Sequence, residues 1–559
     1  MNNRFVFLPV LIVLAACGGP PTPPTVNISS PSVQVYTKAS VTIQVAVTGE
    51  PNTVELLKDG VLLATLIAPY QYIWDTTGEP EATYNLTARA SKNGVTAPVV
   101  SAAKQITVDR TAPSVVSRSP ANAATNVFLA DEISLTFTEP MLASSITGTT
   151  VQLQEGINPI ARNANLDTAG TKLMVIPASL PTLPATMNVV VNGITDRAGN
   201  VLPNNSTTLT APDWQQPGTQ PLDTTQANDA GFSEIATGAN GQIFVVFREI
   251  ATGNNRNVYV KKWTGSAWEA LGAELDIVSA NNYATNPDIA IQSNGNPIAA
   301  WAENNGEETG QNIYVKRWNG TAWEALGSEL DITFNNLVGA PKIALNSSNN
   351  PIVVWSEFVS GVETVYVKRW NGTVWEALGG ALDINAANAA FGPRISIFNN
   401  QPVVIWNESN NIYAKRWDGT TWQALGADLN TATSNSPDVM VAPDGSPMAV
   451  WNENNDIVVK KYNGTIWQAI GGVLDLVQAN TASLPKIDMD TNGNPIVLWL
   501  ESGKAVVKKW NGTIWVLLGS NLNAGTAAHP KLATDTSGSP VVSFTENADI
   551  FVKRYNRIP

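Results

Sequence analysis

The sequence predicts an all-β protein: two β-sandwiches followed by a seven-bladed β-propeller whose ring is closed by an N-terminal strand. Three observations lead there. A tryptophan-rich phrase, NIYVKRWNGTAWEALG at Asn312–Gly327, returns as VYVKRWNGTVWEALG at Val365–Gly379 and as NIYAKRWDGTTWQALG at Asn411–Gly426. An aromatic-x-Glu signature occurs seven times between Phe247 and Glu546. Before Trp214 the chain falls into short runs of alternating polar and apolar residues, broken by turn residues. Composition agrees. Only 14% of residues are charged and 43% are hydrophobic, and Asn, Gly, Thr and Ser, which suit turns and strands, fill much of the rest. At 559 residues the chain exceeds what one core supports. Its formal net charge of −13 argues against a nucleic-acid partner and against an electrostatic hold on anionic lipid.

The first segment carries Arg4 and the apolar run Phe5–Leu14 (FVFLPVLIVL), too short to span a bilayer as a mature helix. Leu14-Ala15-Ala16-Cys17 follows, then Gly18. This resembles a bacterial lipobox, which implies a lipoprotein signal peptide at 1–16 and lipid attachment at Cys17. Cys17 is the only cysteine, so no disulfide forms within the chain. Acyl chains at roughly 0.8 kcal/mol per buried methylene give a firm anchor when several are attached. Residues 17–25, with GGPPTPPT, read as a Pro-rich tether. The expected address is the cell envelope: extracytoplasmic, with the N-terminal lipid as anchor in the membrane.

Residues 26–108 alternate in runs such as Val41–Val47, Val54–Leu57 and Val61–Leu66, with Asp59-Gly60 as a hairpin signal between two of them. The stretch Val54–Thr76, with Trp74-Asp75-Thr76, resembles bacterial Ig-like domains. Residues 109–212 begin with the linker Asp109-Arg110-Thr111-Ala112-Pro113. They carry Ser119-Pro120-Ala121, Phe137-Thr138-Glu139-Pro140-Met141, Gly170-Thr171-Lys172-Leu173 and Ile194-Thr195-Asp196-Arg197-Ala198-Gly199-Asn200. This set resembles the Ig-like domain of bacterial S-layer proteins and implies a spacer or adhesive module. Asp109 and Asp196 stand where an inter-domain calcium is conceivable. Without a dense Asp/Asn/Gly cluster they read as turn residues, and no metal is expected.

In 213–559 the aromatic after the basic pair falls at Trp263, Trp318, Trp370, Trp417, Tyr462, Trp510 and Tyr555, a period of 45–55 residues that signals a propeller or another repeat array. Each unit parses into four strands, as in Pro287–Ile291, Pro297–Glu303, Asn312–Trp318 and Thr321–Leu326. A two-residue type I′ turn at Asn319-Gly320 is expected, which sets Lys316 opposite Trp323 and Trp318 opposite Thr321. Tyr314, Lys316, Trp318 and Trp323 then share one face and Ile313, Val315 and Leu326 the other, the two-sided bulk that a blade between neighbours needs. The tryptophans read as filling between blades, each burying about 150–250 Å². The structural repeat positions are Trp301, Glu303, Trp318 and Trp323; Trp355, Glu357, Trp370 and Trp375; Trp406, Glu408, Trp417 and Trp422; and Trp214. The fourth-strand phrase occurs only six times between the seven aromatic-x-Glu signatures. Trp214, Gly218, Leu222 and Asp223 supply the missing copy, so this strand is expected to complete the last blade. The repeats resemble Trp-rich, loosely kelch-like propeller modules of secreted bacterial proteins. They lack the paired glycines of kelch and the Ser-x-Asp-x-Gly-x-Thr-Trp box of sialidases, so neither family's activity carries over.

No catalytic residue is identified. The single histidine, His529, precedes Pro530 and reads as packed or solvated. His/Cys metal clusters are excluded by count, and no phosphate loop or Gly-x-Ser-x-Gly elbow is present, so no cofactor is expected. The seven glutamates recur in every unit, whereas catalytic sites break symmetry. They read as acceptors of backbone N–H groups in the adjoining loop or as partners of a neighbouring basic residue, and the basic pairs as solvated or Trp-stacked. Symmetry is broken by two longer loops, Asn304–Gln311 and Phe358–Glu363, which makes Asn304, Glu307, Glu308, Gln311, Phe358 and Glu363 the candidate binding residues. The expected function is non-catalytic: an envelope protein presenting a propeller for adhesion or for recognition of an envelope protein or glycan. The alternatives are a carbohydrate-active enzyme with an unrecognised carboxylate site and a purely structural envelope component.

Overall fold

The computed structural model describes residues 21–556 apart from 130–131, 179–180, 182, 224–229, 251–254, 278–282, 305–309, 334–335, 478–479 and 520–521. Cys17 and the segment 1–16 lie outside the described residues, as do Glu307 and Glu308. The described residues are almost entirely strands and turns, with two single-turn 3₁₀ segments. None of their helices is long and apolar enough to cross a membrane. The chain forms two compact units: one holds the strands up to Ala124 and most of those from 131 to 209, the other the chain from Thr210 onward with the short segments 125–130 and 181–185.

In the first unit, Thr25–Ser30, Val41–Thr48 and Gln71–Trp74 make one sheet, facing a six-stranded sheet that includes Thr53–Lys58, Ala82–Ser91 and Lys104–Val108. Alternation turns Ile28, Ile43, Leu56, Leu86 and Ile106 inward, and Trp74 meets Tyr84 edge-on at 5.4 Å between them. Asp59 and Gly60 take positive φ (48° and 82°), and Lys58 pairs directly with Val61, the expected two-residue hairpin. The second sandwich packs two four-stranded sheets, with Ile133–Phe137 and Lys172–Pro177 central in one and Val151–Glu155 and Ala185–Val191 central in the other.

Among the described residues of the second unit, seven four-stranded antiparallel sheets repeat in order. Their first strands, from Ala230–Thr237 to Ala527–Thr534, pack each against the next, and the last returns to the first, which closes a propeller ring. In the seventh sheet the outer strand is Trp214–Gln215, paired antiparallel with Asp549–Tyr555 through Trp214 opposite Tyr555 and Gln215 opposite Arg554. The Gln220 side chain extends this closure: its amide nitrogen donates to Val552 O at 3.0 Å and its oxygen accepts the Val552 N–H at 2.8 Å.

The outer hairpin differs from the expected register. Trp318 pairs with Trp323 and Lys316 with Ala325, so the loop holds four residues, not two. Asn319 Oδ1 accepts the amides of Thr321 and Ala322 at 2.9 Å each, and Asn319 N–H donates to Ala322 O. The side chain thus closes the loop as an Asx turn, and only Gly320 needs the left-handed region (φ 105°). The fourth strand shortens to Trp323–Ala325. The two indoles become direct cross-strand partners, with ring centroids 5.5 Å apart.

Candidate functional site

The repeat residues assemble at the seams between sheets. Trp301, Trp355, Trp406, Trp451 and Trp499 are wholly buried. Residues i and i+2 of a strand share a face, so Trp355 reaches Glu357 and donates its Nε1–H at 3.1 Å. The same carboxylate accepts the amides of Ile332 and Thr333, at 2.8 and 2.7 Å, from the linker leaving the preceding sheet. Glu303, Glu408, Glu453 and Glu501 each repeat this bond to their own Trp and to the preceding linker. Lys368, first of its basic pair, lies 5.8 Å from the Trp355 ring centroid and donates to Leu330 O at 2.5 Å, again in the preceding sheet. Trp375 completes the set, donating to Leu326 O at 2.6 Å. Trp268, Trp323, Trp422, Trp467 and Trp515 make the same bond backward, and Trp214 makes it across the closure to Leu518 O at 2.9 Å. Trp370 and Trp417 are buried and Trp318 is half-buried. Gly327 (φ 75°) shows how close this packing is: a Cβ there lies only 3.1 Å from the rings of both Trp370 and Trp375.

Two sheets depart from this pattern, the first with Phe247 and the seventh with Phe544 in place of the indole. In the seventh sheet Phe544 stands where the indole would be, so Glu546 has no indole donor beside it and accepts the Gly525 amide. A cavity of about 800 Å³ opens there, bordered by Val507, Leu518, Phe544, Glu546, Phe551 and Lys553. Lys504 closes one side through bonds to Ala524 O and Gly525 O at 2.6 and 2.8 Å. Phe544→Trp is expected to fill part of this space and restore the missing donor, stabilising the propeller by about 0.5–2 kcal/mol. Calorimetry of the variant checks this, and an unchanged or lowered transition contradicts it.

A second feature lies on the ring axis. Each first strand carries a charged residue at one shared position, just past a bulge in all but the third: Glu234, Asp288, Lys342, Arg394, Asp438, Lys486 and Lys531. Their register is identical, opposite the fourth residue of the second strand or its equivalent, so they converge around the axis. Lys531 Nζ is 2.5 Å from Glu234 Oε1, and Lys342 pairs with the same carboxylate and lies 3.7 Å from Asp288. Arg394 lies 3.8 Å from Asp438. Lys486 donates to Pro485 O at 2.8 Å and, among the described residues, has no carboxylate within ion-pair distance. Burial, with Arg394 and Lys531 nearby, pushes its ammonium down to about 7; burial likewise takes Lys531 down to about 8 despite Glu234. Burial works against ionisation of Glu234 too, but Lys342, Lys531 and Arg394 hold it well below the usual range. A pocket of about 190 Å³ opens at this ring. His529 borders it, its ring 4.6 Å from Phe232, and desolvation lowers its pKa. The sequence signal for this ring was a charged residue after proline, from Pro287-Asp288 to Pro530-Lys531, which varies in sign and so escapes a search for identical repeats.

In the first unit, Asp109 and Asp196 are joined by Glu139, and one carboxylate oxygen from each lies within 4.8 Å of the others. The third carboxylate comes from the Phe137–Met141 motif, which the sequence reading had not linked to them. Asp196 is committed to the amides of Ala198 and Asn200 at 2.7 and 2.9 Å. Burial, with Asp109 and Asp196 nearby, raises Glu139 from 4.5 to about 7. A carboxyl raised in the folded state costs stability as it ionises: the penalty is absent below its unfolded value and full above its folded one. Glu139→Gln is therefore expected to melt like wild type near pH 4 and higher than wild type above pH 7 in the Ig-like unit's transition. Equal melting at both ends contradicts this.

The two candidate loops differ in kind. Phe358–Glu363 is a regular hairpin extension, with Phe358 opposite Glu363 and a two-residue turn at Ser360-Gly361. Phe358 is 41% exposed, whereas Glu363 accepts the Ser356 hydroxyl at 2.7 Å. Asn304 and Gln311 flank the undescribed part of the other loop, and Gln311 N–H donates to Asn336 O at 3.0 Å.

Comparison with known proteins adds the following. Residues 109–214 match the family described as bacterial Ig-like domain, and residues 24–88 match that described as bacterial Ig domain. The chain carries two bacterial Ig-like domains. No curated protein matches it in sequence. Among solved structures it is similar to a protein of unknown function from Dyadobacter fermentans, at 12% identity and TM-score 0.36, covering 55% of this chain and 98% of that one. It is also similar to the Hadza microbial sialidase Hz136, at 10% identity and TM-score 0.36, covering 78% and 94%. A third is the GH93 α-L-arabinofuranosidase of Fusarium graminearum, at 11% identity and TM-score 0.35, covering 48% and 91%. Likenesses at this identity and TM-score transfer no activity to this chain.

Proposed function

We propose that this is a lipid-anchored envelope protein whose Ig-like domains act as a spacer and whose propeller binds an envelope protein or glycan without turning it over. The observation that carries this reading is the division of labour among the repeats. The glutamates that a carboxylate enzyme would recruit are spent on sheet junctions, and a cavity opens at a seam where Phe544 replaces the indole. A cavity of about 800 Å³ lined by apolar side chains with a few polar groups at its edge has the character of a recognition pocket. Lipid attachment at Cys17 rests on the Leu14–Cys17 motif.

The test uses the full protein against isolated envelope fractions and a polysaccharide panel. Retention without product release, lost in Phe544→Trp, supports the reading. Release of shorter products, or retention unaffected by that substitution, contradicts it.

A further inference from the structure

The axial ring carries an inference independent of the seam cavity and of the proposed adhesion. Its carboxylates are accounted for: Glu234 serves Lys342 and Lys531, Asp288 lies by Lys342, and Asp438 lies by Arg394. Asp438 and Asp288 also accept backbone amides, from Ile487 at 3.1 Å and Ile343 at 2.8 Å. Asp488, one turn of the pleat beyond Lys486, accepts the Thr534 hydroxyl at 3.0 Å. None of them pairs with Lys486. A desolvated cation with no carboxylate in contact, only Asp438 and Glu234 at longer range, is costly to bury, and a ring built only for stability has no need of one at a position where three other sheets place Asp or Glu.

We propose that the axial pocket is an oxyanion site, in which Lys486, with Arg394 beside it, holds the carboxylate or phosphate group of a small molecule. The pocket is bordered by Lys342, Arg394, Lys486 and Lys531 with Glu234; with Asp288 and Asp438, which lie by Lys342 and Arg394, the ring sets four cations against three carboxylates and leaves one positive charge over, in a chain whose formal charge is −13. Its volume of about 190 Å³ equals roughly six waters at ~30 Å³ each, enough for an inorganic oxyanion or one acidic monosaccharide and too little for a chain of sugars. Leu484 and Phe232 at its edge give the remainder of a ligand an apolar neighbour, while Arg248, 4.5 Å from the Phe232 ring, and His529 hold that edge in place.

The experiment is a thermal-shift and calorimetric titration of the full protein with inorganic phosphate, D-glucuronate and, as the neutral control, D-glucose. Saturable binding of phosphate or glucuronate with none of glucose is expected. Tighter phosphate identifies a free inorganic anion as the source, and tighter glucuronate an acidic sugar. Lys486→Met is expected to weaken binding by about tenfold or more and Lys486→Arg to retain it. A second readout needs no variant: phosphate should slow reductive methylation of Lys486 in the wild-type protein while Lys104, on the first Ig-like domain, reacts unchanged. No saturable response to either anion, wild-type affinity in Lys486→Met, or no protection of Lys486 overturns the assignment.

Discussion

Trp355→Ala is expected to destabilise the propeller by about 3–5 kcal/mol, the cost of deleting a wholly buried aromatic side chain from a packed core. The loss has three parts: the volume itself, the face on which the Lys368 ammonium rests, and the donor to Glu357. Glu357 keeps the Ile332 and Thr333 amides, so its charge stays solvated by the backbone and the seam survives in weakened form. Trp355→Phe separates the parts. It retains most of the volume, as Phe247 and Phe544 do at the same position of the first and last sheets, and should cost about 1–2 kcal/mol through the lost hydrogen bond and a small void. Chemical denaturation, read in the propeller's own transition, measures both. A cost for Trp355→Ala no larger than for Trp355→Phe would contradict the packing role.

Deleting residues 213–224 from the full chain should lower that transition by roughly 10 °C or more. The deletion removes the outer strand of the seventh sheet, the Trp214 clamp on Leu518, and the Gln220 amide that completes the bonding of Val552. It also removes Leu222, which is buried and whose carbonyl takes the Lys261 ammonium of the first sheet at 2.5 Å. The seams on both sides of the seventh sheet lose a partner, and Asp549–Tyr555 becomes an open edge. Calorimetry with the Ig-like transition as internal reference measures this. A propeller transition that stays in place would show that the ring does not depend on this strand.

The sheets were legible because their determinants are local and repeated. Two-residue alternation around Trp355 and Glu357 and the recurrence of Trp370 and Trp375 mark the strands and both of their buried faces without knowledge of the neighbours. Closure by Trp214 was legible as a missing copy. The hairpin register was not, because Asn319 offers two ways to turn the chain: its backbone suits a type I′ turn, but its side chain satisfies two amides of a longer loop. The axial charges stayed hidden for a different reason. Glu234, Asp288, Lys342 and Lys486 share a register and not a residue type, and their meaning lies in which of them meet across a circle. The Asp109, Glu139 and Asp196 group was half visible: all three acids sit in recognisable motifs, but only the folding of the sandwich brings Glu139 to the other two.

The central claim is that indole, carboxylate and lysine side chains fasten each sheet to the one before it around a closed ring. Its most direct test is a cross-link at the closure. Gln215 and Arg554, 339 residues apart in sequence, are direct cross-strand partners, and the arginine Nε donates to Gln215 Oε1 at 2.5 Å. Facing Cα atoms in such pairs lie about 4.5–5.5 Å apart, within disulfide reach. Gln215→Cys with Arg554→Cys, in a Cys17→Ser background, should form one intramolecular disulfide on mild oxidation and give a faster band on a non-reducing gel. Thiols that stay free, or that cross-link only between molecules, would mean that the two ends do not meet and that the ring is open.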